Sequence, residues 1–227
     1  TSLVSFYNGF RIDVNELSEV IRKNSNAMLA VDVTQALARI PLDVKKADLV
    51  ISSTHKWLLA SHGGGLVGVP SAKNNSLTVP AGGWFNLEEP FGANRFTEAK
   101  SKPGAASFAV GMPNYPAIYA IRAGLQYIQS IGVEKIDAAT RPLVLHCLEE
   151  LLKLPIEVIT PTNPEHVAGI IAFRHPKADV IHAHLKSKNI HVMGNAGRLR
   201  IAIHGYNTHE NVEVLLQELK AVLKQVG

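Results

Sequence analysis

Two polar segments of the chain carry side chains that could do covalent chemistry, and each follows a short apolar run. Asp32 ends the apolar run at residues 27–31, and Lys56 follows the run at residues 48–51. Such runs are typical of strands that are buried on both faces of a parallel sheet. Open α/β sheets bind their ligands outside the carboxyl ends of these strands. We therefore expect Asp32 and Lys56 to lie at one ligand-binding edge of a sheet.

The residue types at this edge suit pyridoxal 5'-phosphate (PLP). A lysine such as Lys56 can form a Schiff base with the PLP aldehyde when its surroundings favour the neutral amine. Asp32 could face the ring nitrogen and keep it protonated. Gln35 could donate a hydrogen bond to the phenolic oxygen, while Ser53 and His55 could bind the phosphate. Each residue also has an ordinary explanation, as a solvated loop lysine, a strand-end cap or a structural histidine.

The motifs resemble those of the class V aminotransferase family, the cysteine desulfurase-like group of fold-type I PLP enzymes. The similarity rests first on residues 32–35 (Asp-Val-Thr-Gln) and 53–57 (Ser-Thr-His-Lys-Trp). Residues 111–114 are similar to the family's Gly-Thr-Pro-Asn turn. Arg200 and residues 206–208 are similar to its C-terminal Arg…Tyr-Asn-Thr signature. Residues 4–9 resemble the family strand that precedes its Asp-containing strand, so the resemblance covers the whole chain.

The resemblance implies an α/β fold, the fold-type I PLP-dependent transferase. Residues 1–113 would form a partial PLP-binding large domain with a mainly parallel sheet, residues 114–132 a connecting helix, and residues 133–227 a small C-terminal α+β domain. It also implies a PLP-dependent enzyme that acts on an amino acid through a Lys56 Schiff base, as an aminotransferase or a lyase. The expected assembly is a homodimer.

Arg200 is the expected substrate-binding residue. Arg198 and Arg200 alternate on a predicted strand and so share one face, where a guanidinium could bind a substrate carboxylate through two hydrogen bonds. The residues alone leave a surface ion pair open for both. The resemblance selects Arg200, because the family's carboxylate-binding arginine stands six residues before Tyr-Asn-Thr.

Trp84 and Asn86 belong to a segment that allows two interpretations. Tryptophan is mostly buried, so we favour a buried structural role for Trp84. In related enzymes such as kynureninase, however, a Trp-containing loop at this place reaches across the dimer interface into the neighbouring active site. Trp84 and Asn86 are therefore possible cross-subunit residues.

Two departures from the family pattern limit the choice of reaction. Cysteine desulfurases carry a nucleophilic cysteine on the loop before the arginine, but residues 189–197 contain none, and Cys147 lies in a helical apolar stripe. A carbon–sulfur lyase without a persulfide cysteine is therefore one alternative, and a catalytically inactive scaffold or partner subunit is another. Met112 replaces the threonine that contacts the phosphate of the opposite subunit in the family.

Composition favours an anionic cofactor and a carboxylate substrate over nucleic acid. The net charge is +4 without a basic block, whereas nucleic-acid binding usually needs a clustered basic face. A single cysteine excludes an intrachain disulfide framework and favours a reducing compartment, which predicts a cytoplasmic location. No apolar run is long enough to span a bilayer. The expected partner is an amino-acid substrate, with no nucleic acid and no membrane.

Periodicity predicts the elements that position these residues. Asp13 and Glu16 have capping-box spacing before an apolar stripe that includes Val20. Helical patterns run from Tyr115 to about residue 130 and from about residue 133 onward, with a kink or division at Pro142. Strands are expected at 156–160, 168–173 and 199–203, around a helix at 179–187. A last helix begins after Thr208 as its N-cap.

Two other patterns in the sequence could indicate binding sites, but their context does not support either one. Residues 63–68 match the dinucleotide pattern G-x-G-x-x-G, but they precede an apolar strand instead of following one and opening a helix. The better interpretation is a tight turn that lets the backbone approach Lys56. His182 and His184 face different sides of a helix, and the other histidines considered lack ligand spacing. We therefore predict no metal site.

The sequence does not begin with methionine and enters a strand at once. In the family, a substantial preceding region supplies a phosphate-binding turn and an aromatic side chain that stacks on PLP. We therefore expect a C-terminal portion of a longer protein, with weak PLP retention by the chain alone.

Overall fold

The computed structural model describes residues 1–73, 76–80 and 82–226 of the 227-residue chain. Asn74, Asn75, Ala81 and Gly227 lie outside the described residues. The described chain forms two compact units whose segments alternate along the sequence. The first unit contains residues 1–2, 13–34 and 43–127, and the second contains residues 3–12, 35–42 and 128–227. The predicted division at residues 113 and 132 stays a prediction.

The first unit contains a three-stranded sheet of order β1-β2-β3. Its strands are β1 (Ala30–Asp32), β2 (Leu49–Ser53) and β3 (Gly65–Gly68). β1 and β2 pair in parallel, as the apolar runs predict, and a parallel bridge joins Ser2 to Asp32. β3 runs antiparallel to β2. The described part of the sheet is therefore mixed: β1 and β2 form its parallel pair, and β2 and β3 form its antiparallel pair.

Helix α1 (Val14–Asn24) joins the opening segment to β1. The predicted cap is confirmed, because an Asp13 carboxylate oxygen accepts hydrogen bonds from the Asn15 and Glu16 amides. Val14 is buried, but Val20 is 56% exposed, so the apolar stripe that includes Val20 is not the buried face of the helix. Ser18 is buried instead. The buried face is therefore rotated from the one that the apolar pattern indicates.

Asp48 fixes the start of β2 beside the start of β1. Its Oδ2 accepts hydrogen bonds from the Leu29 amide at 2.8 Å and from the Arg22 guanidinium at 2.5 Å. Burial alone would raise the pKa of the Asp48 carboxyl, but these bonds and the neighbouring positive charges hold that pKa below its usual value. An ionised carboxylate thus sets the alignment of the two parallel strands at their amino ends.

The rest of the first unit is a long connection followed by a helix. Three short 3-10 turns (Ser71–Lys73, Trp84–Asn86 and Gly104–Phe108) interrupt the connection. Helix α2 (Tyr115–Ile131) confirms the predicted helix and packs closely on the segment after β2. A Cβ at Gly124 would lie 2.4 Å from the Leu58 carbonyl oxygen, so this approach requires glycine.

The second unit contains a four-stranded antiparallel sheet of order β4-β5-β7-β6. Its strands are β4 (Glu157–Val158), β5 (Ile170–Arg174), β6 (Met193–Asn195) and β7 (Arg198–Ala202). The apolar pattern predicts all of these except β6, which is short and polar. Gly9 packs against β5: its φ is +78°, and a Cβ there would lie 2.2 Å from the Ile170 carbonyl oxygen. Residues 4–9 form a turn rather than the strand that the family resemblance implies.

Three helices complete the second unit: α3 (Val133–Leu151), α4 (Ala178–Ser187) and α5 (His209–Val226). Pro142 lies inside α3 without dividing it. Thr208 accepts a hydrogen bond from the Asn211 amide, which confirms its predicted role as N-cap of α5. The helices and sheet share an apolar core, which includes Cys147, Leu151, Phe173, Ile181, Leu199, Leu216 and Leu219.

Arg39 ties the short segment 35–42 into this second unit. Its side chain is fully buried; Nε donates to the Ile203 carbonyl oxygen at 2.9 Å, and Nη1 approaches Asp137 Oδ1 at 3.2 Å. Burial lowers the pKa of Arg39, and the Asp137 carboxylate opposes that shift.

Among the described residues, no helix is both long and apolar enough to cross a membrane.

Candidate functional site

The candidate site starts from two neighbouring strand ends in the first unit. Asp32 is the last residue of β1, and Ser53 is the last residue of β2, the strand that pairs with β1 in parallel. Parallel strands end at the same edge of a sheet, so Asp32, Ser53, His55 and Lys56 all emerge at one edge. Asp32 Oδ1 accepts a hydrogen bond from the Thr34 amide at 2.8 Å. This bond orients the carboxylate at the end of its strand.

Thr34 joins the two strand ends, a role that the sequence analysis missed. Its buried Oγ1 accepts a hydrogen bond from the Ser53 amide at 2.9 Å. Just before it, the Val33 amide donates to the Ile51 carbonyl oxygen at 2.8 Å. The Thr34 bond therefore continues the parallel pairing by one side-chain link. The backbone beside Asp32 and the backbone leading to Lys56 are held in a fixed relation.

The turn that carries Lys56 is anchored by the buried residues on either side of it. Thr54 is fully buried, and its hydroxyl contacts the Gly64 carbonyl oxygen at 3.1 Å. Trp57 and Leu58 are buried, whereas the Lys56 side chain is exposed. The backbone of Lys56 is therefore constrained while its amine can be reached from solvent. This combination suits a lysine that must meet a ligand at a defined place.

His55 stacks on His62 within the same turn. The two rings lie 3.9 Å apart at an interplanar angle of 19°. Burial lowers the pKa of His55, and the neighbouring charges of His62 and Lys56 lower it further. The neutral imidazole is thus favoured near pH 7. A ring N–H of His55 can donate a hydrogen bond to a phosphate oxygen.

The donor set at this edge fits PLP. Within the part of the chain that the structure describes, Asp32 Oδ2 receives no hydrogen bond, so it can face a protonated ring nitrogen. Ser53 and Lys56 are both exposed. A carboxylate, a hydroxyl, an imidazole and an amine are thus presented together. These are the groups that a pyridine nitrogen, a phosphate and an aldehyde require.

Gln35 and Arg200 belong to the second unit. Gln35 is buried. Arg200 is half-buried; its Nη1 donates to the Phe6 carbonyl oxygen at 2.9 Å, and its buried Nε meets no acceptor among the described residues. Burial lowers the pKa of Arg200, and the neighbouring Arg198 lowers it further. The unsatisfied Nε–H of Arg200, together with the positive charges of Arg200 and Arg198, favours an anionic ligand.

Arg198 is a weaker candidate than Arg200 for that ligand. Its guanidinium donates to the Tyr7 carbonyl oxygen and lies 4.3 Å from the centre of the Tyr7 ring. The side chain is also more deeply buried. Arg198 therefore has a structural role in holding the turn at residues 4–9.

Trp84 is not the buried structural residue that the sequence analysis favours. The side chain is 64% exposed, and its ring meets the Phe91 ring edge-on at 5.6 Å. Gly83 precedes Trp84 and has a φ of +149°. A Cβ at Gly83 would lie 2.2 Å from the Val110 carbonyl oxygen, so this position requires glycine. The segment turns sharply at Gly83 and presents Trp84 outward. A cross-subunit role for Trp84 stays a prediction.

Asn86 has a structural role, so its predicted cross-subunit contact is wrong. Its side chain is fully buried and makes four hydrogen bonds. The amide nitrogen donates to the carbonyl oxygens of Val79 and Ser107, both at 2.8 Å. The amide oxygen accepts from the Gly82 amide and the Ser101 hydroxyl, both at 3.0 Å. Asn86 organises the connection instead of reaching outward.

We expect Asn86→Ala to lower the free energy of unfolding by about 2–4 kcal/mol, because several buried polar groups lose their partner at about 1–3 kcal/mol each. Asn94→Ala is the matched control. Its side chain is exposed and makes a single 3.4 Å contact with Glu98. Urea unfolding monitored by circular dichroism measures both. Equal stability of the two variants would contradict the buried role of Asn86.

Cys147 does not resemble a reactive thiol. It is fully buried in the core of the second unit, and burial raises the pKa of its thiol to about 12, with a further contribution from Glu213. A nucleophilic cysteine needs the thiolate and access to its substrate. Cys147 is also the only cysteine of the chain. The buried position of Cys147 therefore gives no support for a persulfide-carrying role.

The glycines at 63–68 form part of a turn and a strand. Gly63 has φ +87°, and Gly65 opens β3. A Cβ at Gly64 would lie 2.6 Å from Ile121 Cδ1, so the turn packs tightly on α2. The segment opens no helix, which agrees with the rejection of a dinucleotide site.

Comparison with known proteins identifies similar sequences along nearly the whole chain. The family model described as aminotransferase class-V matches residues 2–215. A probable cysteine desulfurase from Pyrococcus abyssi is 28% identical over 232 residues, which include 94% of this chain and 56% of that protein. An uncharacterized aminotransferase, YcbU, from Bacillus subtilis is 26% identical over 220 residues, which include 96% of this chain and 57% of that protein.

Solved structures show the same fold. Apo cysteine desulfurase from Thermococcus onnurineus superposes with a TM-score of 0.81 at 24% identity, covering 99% of this chain and 59% of that one. The cystine C–S lyase C-DES, solved with its product cysteine persulfide, gives 0.79 at 23% identity, covering 96% and 59%. The chain therefore spans less than two thirds of the length of these relatives.

Proposed function

Because the chain belongs to the aminotransferase class-V family, we propose that it is the lysine-bearing part of a PLP-dependent enzyme that acts on an amino acid. The observation that supports this most is the paired ending of β1 and β2. It presents Asp32 and Lys56 at one edge, with Thr34 joining the two strand ends at 2.9 Å. When bound, PLP supplies an aldehyde that an amine can attack and a ring that withdraws electrons from the substrate α-carbon.

Lys56 has two tasks in this proposal. Its amine attaches the cofactor and later removes and returns the substrate α-proton, as a general base and acid. Asp32 keeps a negative charge opposite the ring nitrogen through Oδ2, the oxygen to which no described residue donates a hydrogen bond. Ser53 and His55 donate hydrogen bonds to the phosphate. Removal of the α-proton is common to transamination, β-elimination and epimerisation, so these residues serve each reaction.

Two residues of the second unit complete the proposal. Arg200 binds the substrate carboxylate, supported by its buried Nε without an acceptor among the described residues. Gln35 donates a hydrogen bond to the phenolic oxygen. Its support is its position three residues after Asp32 and the family motif that contains both.

A carbon–sulfur lyase that works without a persulfide cysteine is the second candidate. Burial of the sole cysteine supports it. The structural similarity to a cystine C–S lyase agrees with it at the level of the fold. In this case Lys56 would remove the α-proton, and a sulfur group would leave from the β-carbon.

We also propose a cytoplasmic homodimer. Several large apolar side chains of the first unit are exposed, and an interface would remove them from water. They include Trp84, Phe91, Phe96, Met112 and Tyr119. Sedimentation velocity, which reports the mass of the particle, should give about twice the chain mass.

An absorbance titration with PLP tests the proposed function. A covalent bond between Lys56 and PLP should produce a visible band that free PLP at the same concentration does not show. An inactive scaffold would give no such band. If the band forms, cystine should yield pyruvate, ammonia and cysteine persulfide with a lyase, whereas an amino acid together with a 2-oxo acid should exchange amino groups with an aminotransferase.

A further inference from the structure

A second cluster of chemically capable side chains lies in the second unit, away from the Lys56 turn in sequence. His146 is on α3, while His209 and Glu213 are on α5. His146 Nε2 lies 2.6 Å from Glu213 Oε1, and His209 Nε2 lies 3.7 Å from the same oxygen. One ligand atom from each residue lies within 4.8 Å of the others. The proposed PLP chemistry uses none of the three.

The geometry of α5 explains how two of these residues meet. Positions i and i+4 lie one above the other on a helix, so His209 and Glu213 project from the same face. The packing of α3 against α5 then adds His146, which lies 67 positions before Glu213. The two imidazole rings are nearly parallel, with centres 5.1 Å apart. The histidine spacing in the sequence indicates no metal site, because spacing along one segment cannot detect a third ligand from another helix.

We propose that His146, His209 and Glu213 bind a divalent transition-metal ion of the zinc class. Two imidazole nitrogens and a carboxylate oxygen are a common zinc ligand set. Bonds of about 2.0–2.1 Å at tetrahedral angles place ligand atoms about 3.3 Å apart. His146 and Glu213 would therefore separate slightly, and His209 would approach slightly. Both shifts are small enough for side-chain rotation.

The site can be reached from solvent. The side chains of His146, Glu213 and His209 are 34%, 51% and 64% exposed. Cys147 follows His146 in sequence, but it faces the core and cannot join the ligands. Three protein ligands leave a fourth position for water. Bound metal would connect α3 to the first turn of α5 and so stabilise the second unit.

Other surface groups provide a matched comparison. His55 and His62 form a second stacked histidine pair. Among the described residues, this pair does not form a group of three possible metal ligands with a carboxylate. Glu150 lies between Lys153 and Lys220, with nitrogen–oxygen distances of 2.6 and 3.0 Å, and its ion pairs leave it poorly placed to bind a cation. The carboxylate of Glu213 therefore distinguishes the proposed site.

Isothermal titration of ZnCl2 into the EDTA-treated, PLP-free chain tests the proposal. We expect one tight ion per chain, an affinity at least tenfold weaker in both His146→Ala and Glu213→Gln, and an unchanged affinity in His62→Ala. Zinc should also raise the melting temperature of the unsubstituted chain by at least about 3 °C. Circular dichroism should show that Glu213→Gln, which preserves side-chain size, is folded.

Three results would overturn the metal site. The first is no zinc binding by the unsubstituted chain, and the second is full affinity in folded Glu213→Gln. The third is a loss of affinity in His62→Ala instead of His146→Ala, which would move the ion to the Lys56 turn. Because the titration is made without PLP, the result does not depend on the proposed function.

Discussion

Lys56→Ala is expected to reduce turnover by at least about 1,000-fold, equivalent to about 4 kcal/mol of barrier, while the chain stays folded. The variant loses both the amine that attaches PLP and the group that moves the α-proton. Proton transfer by a positioned side chain alone contributes about 10²- to 10⁴-fold. Lys56 is exposed, and its turn is anchored by the buried Thr54, Trp57 and Leu58. Stability should therefore change by no more than about 0.5 kcal/mol.

Chemical labelling identifies the lysine directly. Borohydride reduction of the PLP-treated chain, followed by peptide mapping, should place the label on Lys56. Lys45→Ala is the matched control, since Lys45 is exposed but precedes β2 and so lies at the opposite end of that strand. A label on Lys45, Lys46 or Lys73 would contradict the assignment.

Asp32→Asn should lower kcat/KM by more than about tenfold, or 1.4 kcal/mol of barrier, with little effect on stability. Asparagine retains an oxygen that can accept the Thr34 amide hydrogen bond, which Asp32 Oδ1 accepts at 2.8 Å. The strand end should therefore keep its shape. The negative charge is lost, and an amide cannot hold a proton on the ring nitrogen, so the ring withdraws electrons less strongly.

Asp43→Asn provides the control for the loss of one negative charge. Asp43 is exposed and accepts a hydrogen bond from Asn15 at 2.9 Å. Steady-state kinetics and thermal melts of both variants separate activity from stability. Activity of Asp32→Asn within tenfold of the unsubstituted chain would mean that the carboxylate does not support the ring nitrogen.

The ends of the parallel strands were predictable because their apolar runs stop abruptly. Burial on both faces requires a nearly continuous apolar sequence, and the change to polar residues marks the edge at Asp32 and Ser53. The cap at Asp13 and the N-cap at Thr208 were equally visible, since both depend on local hydrogen bonds. Strand β6 was missed because three residues, two of them glycine and asparagine, carry no clear strand pattern.

Burial in the long connection could not be predicted in the same way. A segment without periodicity gives no indication of which side faces inward, so Trp84 and Asn86 were assigned to the wrong environments. The hydrogen bond from the Ser53 amide to Thr34 was missed for another reason. It joins residues 19 positions apart, and only the pairing of β1 with β2 brings them together.

Arg39 has a consequence for any attempt to isolate one part of this protein. The buried Arg39 guanidinium contacts both the Asp137 carboxylate and the Ile203 carbonyl oxygen. Asp137 lies 98 positions after Arg39, and Ile203 lies 164 positions after it. A fragment that begins at residue 133 would omit this guanidinium and the Gly9 turn against β5. Both partners would then lose their hydrogen bonds, and part of the apolar interior would face water. No single proteolytic cut can release either unit intact, and a folding chain must bring its earliest residues to its last strand before that interior closes.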